Sequence, residues 1–244
     1  MRLLIVRHGD PDYINDSLTE KGEREAELLS DRIAKEKIDE VYISPLGRAR
    51  KTAEACLKKM DPDIKPVTFD WLMEFAPRIK RPDKPERESI CWDWMPKDWT
   101  KEDVFFDFDK WTSHPVFKEA DVEREVKWVY TEFEKFLGEH GYVKEGRYFK
   151  AVEPNDKTIV FFCHFGLECV LLSFLLNIPV MLLWHGFIAA PTAVTTIYTE
   201  ERLQGDAYFR VSSFGDISHL YVADEPPAFS GRFCELFTNE NERH

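Results

Sequence analysis

The sequence has few cysteines and no long hydrophobic run. Its cysteines are odd in number and lack Cys-x-x-Cys spacing, which argues against a disulfide framework or a zinc site. They are Cys56, Cys91, Cys163, Cys169 and Cys234. No apolar segment approaches the roughly 20 residues that cross a membrane. The apolar run at Leu3–Val6 is short for a signal peptide and leads into a charged segment. We therefore expect a cytoplasmic protein with reduced thiols and no membrane partner.

Positive charge is also in deficit. There are 33 lysines and arginines against 45 acidic residues, so the formal net charge is −12. A protein that neutralises nucleic-acid phosphates needs a basic face, and we expect no nucleic-acid partner here. In contrast, 43% of the residues are hydrophobic and 14% are aromatic, which is enough for a substantial core. The length favours a single domain over residues 1–244, with an insertion over about 76–120.

The hydrophobic pattern alternates short strands with helices. Strands are predicted at Leu3–Val6, Val41–Ser44, Val67–Phe69, Thr158–Cys163, Val194–Tyr198 and Tyr208–Val211. Helices are predicted after a capping box of Ser17 and Glu20, after Pro45, and over Asp121–His140 and Leu167–Leu176. This alternation predicts an α/β fold, a three-layer α/β/α sandwich with a mainly parallel central sheet. The insertion is rich in tryptophan and proline, and we expect it to form a lid or a subdomain.

Residues suited to catalysis follow the predicted strands. The first strand runs into Arg7 and His8, and the late buried strand runs into His164. Arg48 lies just past the second strand, and Glu74 just past the third. Because ligands bind beyond the carboxyl ends of strands in open α/β sheets, we expect these five side chains to meet at one edge.

Such a set suits phosphoryl transfer without a metal. An imidazole can attack phosphorus and form a covalent intermediate. Arginine side chains bind phosphate oxygens in pairs, and a protonated second histidine adds a charged donor. A carboxylic acid protonates the leaving alkoxide, which is otherwise a poor leaving group. Asp10 and Asp12 are alternative acids by position, but a further anion near the phosphate is unfavourable, and we expect both to form turns.

Four motifs, in order along the chain, resemble those of one family. They are Leu4–Gly9, Leu18–Gly22, Ser44–Ala53 and Cys163–Gly166. Together they resemble the histidine phosphatase superfamily, the phosphoglycerate mutase-like enzymes. The resemblance covers nearly the whole chain apart from the tryptophan-rich insertion.

The resemblance implies a role for each of the five residues. His8 is then the nucleophile that forms a phosphohistidine, and Glu74 is the general acid that later activates water. Arg7, Arg48 and His164 then form the phosphate pocket. Arg7 and His164 are also expected to be catalytic residues, together with His8 and Glu74. The family implies no metal and no cofactor, and a small phosphorylated substrate.

The sequence departs from the family pattern at three places. No glycine follows Glu74 in the expected context, Asp10 replaces the usual residue after the first motif's glycine, and Phe165 follows the late histidine. Neither Asp10 nor Phe165 removes a catalytic group, and both are expected to reshape the rim of the pocket.

Three functions are compatible with these residues. A phosphomonoester hydrolase is favoured, because the insertion carries charges of both signs and lacks the basic cluster with which a phosphoglycerate mutase holds its substrate. A mutase-type phosphotransferase is the first alternative, and a non-catalytic phosphate-binding regulatory domain is the second. The substrate and the oligomeric state are left open. The remaining histidines are expected to be structural or exposed: His114, His140, His185, His219 and His244.

Overall fold

The fold is built on one large sheet. The computed structural model describes residues 1–232 and 235–239, so Cys234 and His244 lie outside the described residues. The strands are β1 (Arg2–Arg7), β2 (Pro11–Asp12), β3 (Ser17–Leu18), β4 (Glu40–Ile43), β5 (Val67–Thr68), β6 (Arg78–Lys80), β7 (Glu88–Ile90), β8 (Tyr142–Glu145), β9 (Tyr148–Ala151), β10 (Thr158–Cys163), β11 (Val194–Leu203) and β12 (Asp206–Asp216). Eight of them form the central sheet in the order β5-β4-β10-β1-β11-β12-β9-β8.

Helices and short helical turns connect these strands. The α-helices are α1 (Glu20–Ile33), α2 (Gly47–Leu57), α3 (Pro96–Trp99), α4 (Pro115–Glu119), α5 (Val122–Glu139), α6 (Phe165–Leu176), α7 (Val180–Gly186) and α8 (Ser218–Val222). Single turns of 3₁₀ helix lie at Asp70–Leu72, Cys91–Asp93, Asp103–Phe106 and Trp111–Ser113. Within the described part of the chain, no helix has the length and hydropathy of a membrane span.

The sheet has a parallel half and an antiparallel half. Strands β5, β4, β10 and β1 are parallel to one another, as the predicted alternation requires. Strand β11 is antiparallel to β1, and β11, β12, β9 and β8 pair antiparallel with one another. Tight turns join β8 to β9 and β11 to β12, as antiparallel pairing allows. The predicted α/β sandwich is confirmed, and the sheet is parallel on the side that carries the motifs.

Both faces of the sheet are covered by helices. Leu3 and Ile5 of β1 point into one hydrophobic cluster together with α5 and α6. Leu4 and Val6 point into a second cluster together with α1 and α2. Successive strand residues face opposite sides, so the short apolar run of β1 supplies both layers.

The first helix starts later than its predicted capping box. Its N-cap is Thr19, whose hydroxyl accepts a hydrogen bond from the Gly22 amide at 3.1 Å. Ser17 lies instead in β3, paired with Asp12. The Thr19 hydroxyl also donates to the Asp10 carboxylate at 2.7 Å, which ties the extended segment down to the helix start. The predicted Ser17 cap is therefore wrong.

The insertion packs its aromatic side chains into the main core. Its residues form the β6–β7 hairpin and several short helices. Trp94, Trp99, Phe105 and Trp111 are buried in the same hydrophobic cluster as the helices α5 and α6. Trp111 meets Trp184 of α7 edge-on, with ring centroids 5.8 Å apart. The insertion is therefore continuous with one layer of the sandwich.

Candidate active site

Two histidines lie side by side at the carboxyl edge of the sheet. His8 follows β1 and His164 follows β10, and these strands are parallel neighbours in which Arg7 pairs with Cys163. The His8 amide donates to the Cys163 carbonyl at 3.1 Å, which keeps both chains in register beyond the last strand residue. The two imidazole centroids are 5.1 Å apart with an interplanar angle of 58°. The structure therefore brings together the two histidines that the motifs singled out.

The tautomer of His8 follows from its hydrogen bonds. Its Nδ1 lies 2.7 Å from the Gly9 carbonyl oxygen, which can only accept, so Nδ1 carries the proton. The Nε2 atom is then left with its lone pair. Arg48 Nε donates to that Nε2 atom at 3.3 Å, so the lone pair points toward the Arg48 guanidinium group. His8 is oriented with a nucleophilic nitrogen toward a cation that can bind phosphate.

Burial favours the neutral form of both imidazoles. Burial lowers the pKa of His8 well below its ordinary value, and the nearby Arg7 charge lowers it further. Burial likewise lowers the pKa of His164 well below its ordinary value, with His8 and the two arginines acting in the same direction. A neutral His8 retains the lone pair that a nucleophile needs. A bound phosphate dianion favours protonation of a neighbouring imidazole, because opposite charges attract strongly in a buried site.

Arg48 is held in place by an aspartate that the sequence analysis did not single out. Arg48 lies in the first turn of α2, and its Nη1 donates to Asp16 Oδ1 at 2.7 Å. The other carboxylate oxygen of Asp16 accepts from the Gly47 amide at 2.6 Å. A Cβ at position 47 would lie 2.0 Å from the Asp16 carbonyl oxygen, so only glycine fits there. The motif around Arg48 therefore contains both the arginine and the glycine that lets Asp16 come close enough to orient it.

Arg7 is buried and engaged by two later segments of the chain. Its Nη1 donates to the Ala189 carbonyl at 2.5 Å and to the Ser230 carbonyl at 3.1 Å. The backbone at Gly231 crosses the guanidinium with φ of +80°, where a Cβ would lie 3.0 Å from Nη2. Arg7 Nε has no partner among residues 1–232 and 235–239. Burial lowers the pKa of Arg7, and arginine remains the permanent cation of the pocket.

Glu74 contacts the first turn of α6, which His164 precedes. It follows the 3₁₀ turn Asp70–Leu72 after β5, and its Oε1 accepts from the Leu167 amide at 3.1 Å. The Phe75 amide donates to the same oxygen at 2.9 Å. Burial raises the pKa of Glu74 to about 7, despite the opposing effect of these hydrogen bonds and the two arginines. A carboxyl group with such a pKa can both donate and accept a proton near neutrality.

Ser44 and Trp92 also contact the site, although sequence reasoning assigned them no role in it. Ser44 Oγ lies 2.8 Å from Nε2 of His164, so it fixes the orientation of that ring. Trp92 comes from the insertion, and its ring covers Gly166 so closely that a Cβ there would lie 1.9 Å from it. The signal for Ser44 was its place in the second motif, whereas the irregular insertion gave no signal for Trp92.

Glu168 is a second buried carboxyl group near the pocket. It lies in the first turn of α6 and is 1% exposed, and the Thr195 hydroxyl donates to it. Burial raises its pKa to about 8, while the nearby Arg7 acts in the opposite direction. Its Oε1 has no hydrogen-bond partner in the described structure. An acidic residue within the otherwise apolar run of α6 was the signal that could have found it.

Of the two aspartates expected to form turns, Asp12 does so, whereas the Asp10 side chain contacts residues farther along the chain. Asp12 Oδ1 accepts from the amides of Ile14 and Asn15, at 3.1 and 3.2 Å. Asp10 accepts from Thr19 and from the Ser230 hydroxyl. Both carboxylates thus have structural partners in the chain.

The other described histidines have structural partners as well. His114 accepts from the Val116 amide at the start of α4, and His140 binds Glu40 at 2.8 Å. His185 packs against Trp99, and His219 lies 3.0 Å from the Thr192 hydroxyl. Among the residues that the structure describes, no group of three or more His, Cys, Asp or Glu side chains is arranged to hold a metal ion.

Comparison with known proteins agrees with this geometry. Residues 3–104 match the family model of the histidine phosphatase superfamily, branch 1. The adenosylcobalamin/alpha-ribazole phosphatase of Salmonella typhimurium is 31% identical over 111 residues, which cover 39% of this chain and 55% of that protein. Phosphoserine phosphatase 1 of Hydrogenobacter thermophilus is 23% identical over 148 residues, which cover 57% of this chain and 64% of that protein. The chain thus spans less than two thirds of these curated relatives.

A solved structure shares the fold over a longer stretch. It is a variant of phosphoserine phosphatase from Entamoeba histolytica in complex with phosphoserine, with a TM-score of 0.57 and 18% identity. The alignment covers 90% of this chain and 98% of that one. Residues 3–104 are thus similar to the histidine phosphatase superfamily, and the chain shares its fold with this phosphatase.

Proposed function

We propose that the protein is a metal-independent phosphomonoester hydrolase that works through a phosphohistidine on His8. The substrate phosphate lies between the two imidazoles and the arginine side chains. His8 Nε2 forms a bond to phosphorus while the bond from phosphorus to the ester oxygen breaks. The Glu74 carboxyl group gives its proton to that oxygen, and the alcohol leaves.

The second step returns the enzyme to its starting state. The Glu74 carboxylate takes a proton from a water molecule, and the water oxygen attacks phosphorus. The bond from phosphorus to His8 Nε2 breaks, and inorganic phosphate leaves. Glu74 is then protonated again and His8 is neutral, so every proton and bond is accounted for. Arg48, Arg7 and His164 stabilise the charge on the transferring phosphoryl oxygens in both steps.

One observation carries the proposal more than any other. The Gly9 carbonyl holds the proton on His8 Nδ1, and Arg48 lies against the unprotonated Nε2. A structural histidine needs only one satisfied nitrogen, whereas a nucleophile must present a lone pair where an anion binds. The names of the relatives support the same class, since two of them are phosphatases of small phosphorylated molecules.

We also propose that residues 1–244 act as a single catalytic domain and that the insertion covers the phosphate pocket. Support comes from Trp92, whose ring lies over Gly166 next to Glu74. Trp92 also packs against Trp184 of α7, with ring centroids 5.6 Å apart. A lid that shares the main core excludes water from the transferring phosphoryl group.

The test is hydrolysis of an aryl phosphate in the presence of a chelator. His8→Ala is expected to lower kcat by at least about 10⁴-fold, since loss of the nucleophile in a covalent hydrolase can cost about 10⁶-fold. His185→Phe is the matched control, because His185 packs against Trp99 outside the pocket and phenylalanine keeps that ring contact. Full activity in His8→Ala, or an absolute requirement for a divalent metal, contradicts the proposed mechanism.

A further inference from the structure

A cavity of about 320 Å³ opens beside the candidate acid. It lies between the segment that follows β5 and the N-terminal half of α5. Its lining residues are Trp71, Met73, Glu74, Phe75, Ala76, Pro77, Ala120, Glu125, Trp128 and Val129. Glu74 therefore belongs both to the phosphate site and to the wall of this cavity.

The position of Glu74 determines where a leaving group can extend. A general acid has to come within hydrogen-bond reach of the oxygen that leaves. The phosphate side of the site is closed, since His8 is 2% exposed and His164 is 0% exposed. Trp92 covers the first turn of α6 at Gly166, next to His164. If the leaving oxygen sits next to Glu74, the body of the alcohol continues into the cavity that Glu74 lines.

The walls of the cavity are aromatic and acidic. Trp71, Phe75 and Trp128 supply three rings, and Trp128 is 38% exposed at the surface of α5. The charged side chains among the lining residues, all of which the structure describes, are Glu74 and Glu125. Arg124 binds Glu125 at 3.2 Å, but its side chain is 72% exposed and does not line the cavity.

These walls discriminate by charge. An anionic group in the cavity would approach the Glu125 carboxylate with no lining cation to compensate, which is unfavourable. A cationic group would gain from Glu125 and from the face of Trp128. A flat apolar group would gain by covering the rings. The cavity is also large enough for an aromatic ring with a short side chain.

We propose that this cavity is the leaving-group subsite and that it selects phosphate esters of aromatic alcohols that are neutral or cationic over anionic ones. The inference rests on the proposed function, because it places the leaving group by the acid role of Glu74. It assigns a substrate class that the phosphate pocket alone does not specify. Trp128 and Glu125 are the specificity-determining residues on α5.

The test compares three esters whose phenol leaving groups are matched. They are para-propylphenyl phosphate, tyramine O-phosphate and para-(carboxyethyl)phenyl phosphate, which are neutral, cationic and anionic at the far end. We expect kcat/KM for the first two to exceed that of the third by about tenfold or more. Glu125→Gln should raise the value for the anionic ester and lower it for the cationic ester. Glu134→Gln, an exposed residue later on α5, is the matched control.

A second variant tests the aromatic wall. Trp128→Ala should lower kcat/KM for para-propylphenyl phosphate about tenfold but change that of phenyl phosphate less than about threefold. Tyr208→Ala on β12, an exposed aromatic residue on another element, should change neither. Equal hydrolysis of the three esters, or a Trp128→Ala variant that behaves like the Tyr208→Ala control, overturns the subsite. Failure to hydrolyse any ester, or activity that survives His8→Ala, instead overturns the proposed function.

Discussion

The two halves of the candidate site are built in different ways. The phosphate half consists of charged and polar side chains at the ends of β1, β10 and α2, each held by directional hydrogen bonds such as Arg48 to Asp16. The leaving-group half consists of aromatic rings from the segment that follows β5 and from α5, which pack without a fixed bonding pattern. Directional chemistry tolerates few residue types, whereas many sequences can build an apolar wall. The first half is therefore the one that leaves motifs in the sequence.

After His8, the second histidine should cause the largest loss within the phosphate half when it is removed. His164→Gln is expected to lower kcat for an aryl phosphate by about 10³-fold, because a donor to the transferring oxygens is lost in a buried site. Ser44→Ala, which removes the partner of His164 Nε2 and the acceptor of the Leu46 amide but keeps the imidazole, should cost about tenfold. Steady-state kinetics on both variants measures the difference. Equal losses would mean that ring orientation, and not the imidazole itself, dominates.

Substituting Glu74, which lies between the two halves of the site, should affect proton donation to the leaving group. Glu74→Gln keeps the acceptor for the Leu167 amide but cannot donate a proton, and kcat should fall about 10²-fold for para-propylphenyl phosphate. For para-nitrophenyl phosphate, whose phenolate leaves without help, the loss should be under about fivefold. A similar loss for both esters would contradict the acid role.

The same residue predicts a pH dependence. The pKa of Glu74 is raised to about 7, and the first step needs its protonated form. The value of kcat/KM for the alkylphenyl ester should therefore fall as the pH rises above about 7. Glu74→Gln should flatten that limb of the profile. An unchanged profile in the variant would assign the ionisation to another group.

Weakening the contacts that position Arg48 should have a smaller effect on the kinetics. Asp16→Asn removes the charge that holds the Arg48 guanidinium and weakens the contact to the Gly47 amide. We expect KM to rise about tenfold with a smaller change in kcat, because the arginine is still present but less well positioned. Asp12→Asn is the matched control on the same turn, since Asp12 contacts only its own loop. An equal rise in both variants would show that the turn, and not the aspartate charge, matters.

The smallest effect concerns stability. Glu168 has a pKa of about 8 in the folded protein and an ordinary value of 4.5. The folded state therefore holds a proton that the unfolded state releases, so this contribution is complete below the ordinary pKa and is lost as the pH rises through about 8. Glu168→Gln cannot ionise, and its Tm relative to the parent should rise by a few degrees between about pH 5 and pH 9. Thermal melts across that pH range measure the difference in Tm between the variant and the parent. A difference that does not change with pH would contradict the raised pKa of Glu168.

The sequence predicted the parallel half of the fold and the convergence of five residues with good accuracy. His8, His164, Arg48 and Glu74 followed short apolar strands, and parallel strands bring their carboxyl ends to one edge. The Ser17 cap was wrong because Thr19 has a tertiary partner in Asp10 that no local pattern reveals.

Other parts of the site could not be found from the sequence. The place of Trp92 over Gly166 depends on how the irregular insertion folds back, and Arg7 is engaged by Ser230 from the far end of the chain. Long-range contacts of this kind follow from packing, which single-sequence periodicity does not encode.

The most direct measurement is the chemical trapping of the intermediate. The enzyme is mixed with an aryl phosphate labelled at phosphorus, quenched in alkali during turnover, and digested for mass spectrometry. A phosphoryl group on the imidazole of His8, absent in His8→Ala and stable to alkali but not to acid, is the predicted result. Turnover with no labelled protein, or label on another residue, would contradict the claim that His8 is the nucleophile.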